Sequence, residues 1–183
     1  MFRTFRTLAA CLIAFVSYLA HGAEITHLGQ PCHAKNILGY CMVADPQSQK
    51  DFLVLCNTNE ATNIELLFID FEDNTGEVYK APAGQGSWAL QELPGGKLAV
   101  GTYYDGKFLL FDLKSRTFTQ TVQVPGEEYL WRFAVGSDHR LYSGTYPHAV
   151  LAALNPDTME LETFPNQVPP NMYLRYVLSL IHI

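Results

Sequence analysis

Apolar positions in this chain fall into short runs of about six residues, broken by turn signals. Helical spacing is absent beyond the first twenty-odd residues. The stretch from Tyr129 shows the pattern. "YLWRFAV" (Tyr129 to Val135) is apolar and aromatic and stops at Gly136. "GSDHR" turns the chain, "LYSGTY" and "AVLAAL" follow, and "NPDT" at Asn155 to Thr158 is a second turn. "MELETF" then alternates apolar and polar, as a half-exposed strand does. The unit holds four short strands. The inner ones are apolar throughout, so both their faces need covering, whereas the last needs cover on one face only.

The unit recurs at a period of 43 residues. Trp88 aligns with Trp131, Gly101-Thr102-Tyr103 with Gly144-Thr145-Tyr146, Pro82 with Pro125, and Asp112 with Asn155. With one inserted residue, "QVPGEEYL" from Gln123 aligns with "QVPPNMYL" from Gln167. A looser earlier copy has "ELLFID" at Glu65 to Asp70 ahead of "KFLLFD" at Lys107 to Asp112. Four-stranded sheets that cannot bury their faces alone, repeated along the chain, predict an all-β ring of stacked blades. Gly101 and Gly144 lie inside strands, where glycine permits a bulge or a close backbone approach.

The turn into the outer strand, "NPDTMELE" and more loosely "DLKSRTFTQ", resembles that of the β-propeller superfamily, in its lactonase and gluconolactonase-like, YVTN-type and lyase-type groups. The likeness runs from about Asp51 to Val177. WD40 marks and the tryptophan docking motif of quinone-binding propellers are missing. The expected architecture is a partial β-propeller of about three and a half four-stranded blades over residues 23–177, C-terminally truncated. A closed ring takes about four to eight blades. An open arc with an uncovered C-terminal edge, prone to aggregation, is therefore expected.

The ends carry other signals. "MFRTFRTLAACLIAFVSYLAHGA" has a basic start at Arg3 and Arg6, an apolar stretch from Leu8 to Ala20, and small residues after it. This reads as a signal peptide over residues 1–22 and places the protein in a secreted or periplasmic setting. A membrane span would need roughly 20 apolar residues. A lipobox ending at Cys11 would leave only a very short apolar stretch before it. "LSLIHI" (178–183) matches a translated sequencing-adapter sequence and adds nothing to the repeat; a natural apolar tail is the alternative.

Without Arg3 and Arg6, ten Lys and Arg face eighteen Asp and Glu, a net charge of −8. This excludes a nucleic-acid surface and gives no basic patch for anionic lipid. Cys32, Cys41 and Cys56 follow the signal. Cys32 and Cys41 are spaced to staple a loop, which leaves one thiol over. "PCH" at Pro31 to His33 reads as a surface loop.

A ligand of a propeller meets the loops into the innermost strands and those between the second and third strands. Here these carry Tyr103, Asp105, Glu127, Glu128, Arg132, Tyr146, His148 and Arg175. The resemblance to propeller polysaccharide lyases implies a catalytic group of Tyr146, His148 and Arg132. The arginine would neutralise a uronate carboxylate, a His or Tyr would take the C5 proton, and a Tyr would protonate the leaving oxygen. Tyr103, Asp105, Trp131 and Arg175 complete the candidate ligand-binding set. Recurrence of the tyrosines, and of Trp88 with Trp131, equally suits packing between blades. A lactonase-like site would need a metal on oxygens such as those of Glu127, Glu128, Asn171 and Asn57, whose spacing specifies none. No cofactor is named by the residues, and no Gly-x-Ser-x-Gly nucleophile is present. The reading is a ligand-binding propeller with a small-molecule or polysaccharide ligand. The alternative is a non-catalytic scaffold presenting its loops to a protein partner.

Overall fold

The computed structural model describes residues 36–58, 61–165 and 167–178. The signal segment, Cys32 and its pairing, and the final five residues lie outside them. The described residues form three antiparallel sheets of four strands, in chain order within each sheet. The first holds β1 (Asn36–Ala44), β2 (Asp51–Thr58), β3 (Glu65–Asp70) and β4 (Thr75–Lys80). The second holds β5 (Gly86–Leu93), β6 (Lys97–Tyr103), β7 (Lys107–Asp112) and β8 (Thr117–Gln123). The third holds β9 (Tyr129–Val135), β10 (Leu141–Tyr146), β11 (Leu151–Leu154) and β12 (Leu161–Phe164). β1 packs beside β5 and β5 beside β9, so the sheets meet along their first strands.

Why the inner strands are apolar on both faces is visible in β7. Leu109 and Phe111 enter the core shared with the first sheet, whereas Phe108 and Leu110 enter the core shared with the third. Each fully buried side chain of this kind contributes about 2 kcal/mol. Aromatic edges lock the first core, with Phe68, Tyr79 and Phe111 at centroid distances of 5.2–5.4 Å. Phe108 stacks on Phe133 in the second core at 5.5 Å. The outer strands β4, β8 and β12 are mostly exposed, as their alternation requires.

The turn into each outer strand is built the same way three times. Asp70 Oδ1 accepts from the Glu72 and Asp73 amides, Asp112 Oδ1 from the Ser115 amide, and Asn155 Oδ1 from the Asp157 and Thr158 amides. A left-handed residue follows each time: Asn74, Arg116 and Met159. Arg116 reaches back from its turn onto the first sheet. Its guanidinium lies 5.0 Å from both the Phe52 and Phe68 rings and 3.2 Å from Asp45 Oδ1. Met159 makes the analogous reach into the second core.

One recurrent backbone bond ties each repeat to the next. Ile64 N–H donates to the Gly84 carbonyl at 2.9 Å, Gly106 N–H to Glu128 at 2.8 Å, and Ala149 N–H to Met172 at 3.1 Å. By this register residues 171–178 dock, without regular strand pairing, where the opening strand of a fourth unit would stand. Tyr173, Tyr176 and Leu178 of that segment are exposed. So are Tyr40 and Met42 on β1, whose cross-strand partners Leu55 and Leu53 are half-buried.

Among the described residues Cys41 and Cys56 form no disulfide. Burial pushes each up to about 12, with Glu92 adding to the shift at Cys41. Neither is a thiolate at neutral pH, and Cys56 is a core residue at the strand position where Gly101 and Gly144 stand.

The turn aspartates make stability fall in acid. The Asp73 amide holds Asp70 below the usual carboxylate range, and the Ser115 amide does the same for Asp112. Burial alone would raise Asp45, but the Ser48 hydroxyl and amide and the Arg116 guanidinium outweigh it and leave it low. A depressed folded value means the stabilisation is complete above the unfolded value near 4 and is lost as pH falls below it. The urea midpoint is therefore expected to be flat from pH 7 to pH 5 and to drop steeply between pH 4 and pH 2.

Candidate functional site

The edges where the sheets meet carry a continuous run of aromatic rings. Trp88 on β5 and Trp131 on β9 stand at one repeat position, and their rings stack at 4.8 Å and 29°. The next repeat places Arg175 at that position, and its guanidinium continues the stack 4.6 Å from the Trp131 ring. Tyr103 lies on Trp88 at 4.4 Å. Gly86 makes that contact feasible, because a Cβ there would fall 2.0 Å from the Tyr103 ring. Tyr146 is sandwiched between Tyr129 at 5.0 Å and Tyr173 at 4.6 Å. Burial, then the Tyr104 hydroxyl, pushes Tyr129 up to about 12. Tyr146 is raised as well, chiefly by Tyr173. At neutral pH both are protonated phenols, suited to donating hydrogen bonds.

At one end of this wall is an open depression of about 150 Å³ lined by Trp88, Trp131, Arg132, Arg175 and Tyr176. Arg132 is an exposed residue of β9, one position beyond Trp131. Among the described residues, neither Arg132 nor Arg175 has a carboxylate partner, whereas Arg116 and Arg140 each have two.

Beyond Tyr146 the wall gives way to a polar cluster. The Glu127 side chain is 1% exposed and accepts from the Thr145 hydroxyl at 2.6 Å and the His148 amide at 3.2 Å. His148 Nδ1 lies 2.7 Å from Glu127 Oε1, while the imidazole itself is 68% exposed. This histidine is held at one ring nitrogen by a buried carboxylate and is open to solvent at the other. It lines a second depression, of about 240 Å³, with Pro147, Pro170, Asn171 and Met172.

The preceding repeat solves the same local problem without histidine. Asp105, at the position of His148, accepts from the Gly84 amide at 3.0 Å and pairs with Lys107 at 3.2 Å. The Thr102 hydroxyl also donates to Asp105. Gly84 stands where Glu127 stands one repeat later. The carboxylate has thus moved from one loop to its neighbour between adjacent repeats, and an exposed histidine has been added.

Of the sequence candidates, Trp131, Arg132 and Arg175 share one depression, and Tyr146 stands between it and His148. Arg132 and His148 line different depressions. Tyr103 is buried against Trp88, and Asp105 is committed to its own loop. Glu128 is exposed, and its charge helps to raise Tyr129 and Tyr146. Asn57 is buried in the first sheet, its amide donating to Glu65 at 3.1 Å. Among the described residues, no three His, Cys, Asp or Glu side chains gather as a metal cluster. No helix among them is long and apolar enough to cross a membrane.

Comparison with solved structures places this geometry in a known architecture. A catalytically inactive variant of virginiamycin B lyase from Staphylococcus aureus, with quinupristin, matches with a TM-score of 0.61 at 15% identity. That match covers 82% of this chain and 48% of the lyase. Apo AztD from Citrobacter koseri matches at 0.55 and 14% identity, over 83% of this chain and 40% of AztD. The RRP9 WD40 repeats match at 0.53 and 17% identity, over 72% of this chain and 42% of that one. The fold is a β-propeller, present in part. The chain spans less than half the length of these three proteins. No family model matches it, and no curated protein does.

Proposed function

We propose that this protein is a secreted or periplasmic propeller that binds a saccharide against the Trp88–Trp131 wall. The observation that carries the reading is the open depression with two stacked indoles at its base and unpaired polar groups at its rim. The indole faces are covered by Trp88, Tyr103 and Arg175, so the indoles offer their edges to sugar C–H groups, while the guanidinium and phenol groups offer donors to sugar hydroxyls. Two of the solved structures that share the fold are described with small ligands or nutrients: the lyase with quinupristin, and an auxiliary nutrient binding protein from Bacteroides ovatus. WD40 repeats share it too, so a scaffold reading predicts a protein on the same face.

Lyase chemistry is the sharper form of the proposal, with His148 as the proton acceptor and Tyr146 as the donor to the leaving oxygen. It requires a ligand long enough to pass from the arginines, along Tyr173 and Tyr146, to His148. Four residues separate Met172 from Tyr176, a span of at most roughly 14 Å, the length of two to three sugar rings.

Calorimetric titration with a panel of neutral and acidic oligosaccharides tests binding. Micromolar to millimolar affinity for at least one is expected, lost on replacing Trp88 with Ala. Absence of heat across the panel would count against the saccharide reading. Absorbance near 235 nm on uronate polymers tests elimination separately.

A further inference from the structure

We infer that Glu127 is a positioning residue: it holds His148 as the Nδ1–H tautomer, so that a bare Nε2 faces a ligand in the depression of about 240 Å³. This rests on the reading of His148 as the proton acceptor above. A carboxylate has no hydrogen to give, so Nδ1, at 2.7 Å from Glu127 Oε1, is the donor. In a neutral imidazole the other nitrogen then carries the lone pair. Glu127 Oε2 is taken by the Thr145 hydroxyl at 2.6 Å and the His148 amide at 3.2 Å. The carboxylate therefore grips both the backbone and the ring of the residue it orients.

The preceding repeat shows what the same contact needs for structure alone. Val150 N–H donates to Thr145 Oγ1 at 2.9 Å, as Lys107 N–H does to Thr102 Oγ1 at 2.9 Å. Each threonine donates to a carboxylate, Asp105 in one repeat and Glu127 in the next. Each carboxylate accepts an amide from the neighbouring loop, Gly84 N–H at 3.0 Å and His148 N–H at 3.2 Å. Tying the loops takes a threonine, a carboxylate and an amide, and the second sheet does it without an imidazole. The histidine ring is surplus to that task, and at 68% exposed it adds little burial. What it adds is a lone pair at the edge of a cavity, aimed by a side chain that is 1% exposed and held at both oxygens. Toward a ligand, that lone pair accepts the hydrogen of a hydroxyl or C–H group. Where it takes the proton outright, an N–H bond forms at Nε2, the electron pair stays on the ligand, and the ring's new charge lies against Glu127.

Nitrogen NMR of histidine-labelled protein at pH 8, without ligand, tests the inference. His148, assigned by its absence from His148→Gln, is expected to show a protonated Nδ1 and a bare Nε2. Glu127→Gln is expected to reverse this. Its carbonyl oxygen must serve Thr145 and the His148 amide, which sets the side-chain NH2 against Nδ1 as a donor and leaves the hydrogen on Nε2. In that variant, elimination on a polymer that the wild type cleaves should fall about a hundredfold in kcat, with KM within about threefold. A bare Nδ1 in the wild type, or hydrogens on both nitrogens, overturns the inference. So does an Nδ1–H tautomer that survives in Glu127→Gln. Should Glu127→Gln not fold, Glu127→Asp takes its place: the retracted carboxylate is expected to mix the two tautomers, and an unmixed Nδ1–H form overturns the positioning role. The spectra need no ligand, so a wild type without elimination activity removes the lyase reading and leaves the tautomer to be decided by them.

Discussion

Gly144→Val is expected to unseat residues 171–178 and to abolish ligand binding while the three sheets survive. A Cβ at this position would fall 1.9 Å from the Leu174 carbonyl oxygen and 2.7 Å from its carbonyl carbon. That obstacle is backbone, so it cannot rotate aside as a side chain would. The Leu174 amide donates to the Thr145 carbonyl at 3.1 Å, and the segment must give up this bond to move. Overpacking of this kind costs about 1–3 kcal/mol. Here most of that cost falls on the docked segment rather than on β10, because the segment has less holding it. Its loss takes Tyr173 from Tyr146 and Arg175 from Trp131. A tenfold or greater fall in saccharide affinity is expected, with a urea midpoint only modestly lowered and faster amide exchange at Leu174. Gly95→Ala provides the contrast. Nothing lies within 4 Å of a Cβ there, and only its φ of +79° opposes the change. It should lower the midpoint slightly and leave binding intact.

Trp131→Ala is expected to have the largest effect on stability of any change at the site. The residue is 9% exposed, and its ring is shared by Trp88, Tyr129, Tyr173 and Arg175. Truncating a buried aromatic of this size costs about 3–5 kcal/mol. Its indole Nε1 is buried without a hydrogen-bond partner. Trp131→Phe gives up no bond there and removes an orphaned donor, so it should cost less than about 1.5 kcal/mol. Denaturant titration of the two variants separates ring packing from indole polarity. A larger loss for Phe than for Ala would contradict the described packing.

The strands and their register were legible because the chemistry is periodic. "YLWRFAV" and "LYSGTY" are β9 and β10, and strands apolar on both faces, such as β7, announce covering from both sides. Gly101 and Gly144 also read correctly. A Cβ at Gly101 would meet Leu130 and Ala89 at 2.9 and 3.0 Å, and Gly144 admits the backbone of the following segment. Less was visible at the site. Glu127 read only as one of several oxygens with no diagnostic spacing, and it is a buried partner of His148 and Thr145. The signal was available in the repeat alignment, where Gly84 becomes Glu127 as Asp105 becomes His148, but a paired substitution means little until the two loops are seen to touch. Tyr129, Tyr173 and Tyr176 join the wall because of where neighbouring sheets place them, and no spacing within one strand reveals that. The left-handed turn residues Arg116 and Met159 were hidden for the same reason. Their conformations are paid for by side-chain contacts to the preceding sheet.

Intrinsic fluorescence offers the most direct measurement of the central claim, because the chain's two tryptophans, Trp88 and Trp131, both line the depression. Titration with the tightest-binding oligosaccharide of the panel should change their emission saturably and slow acrylamide quenching, with a midpoint equal to the calorimetric one. Calorimetric binding that leaves both emission and quenching untouched would place the ligand elsewhere and contradict the account.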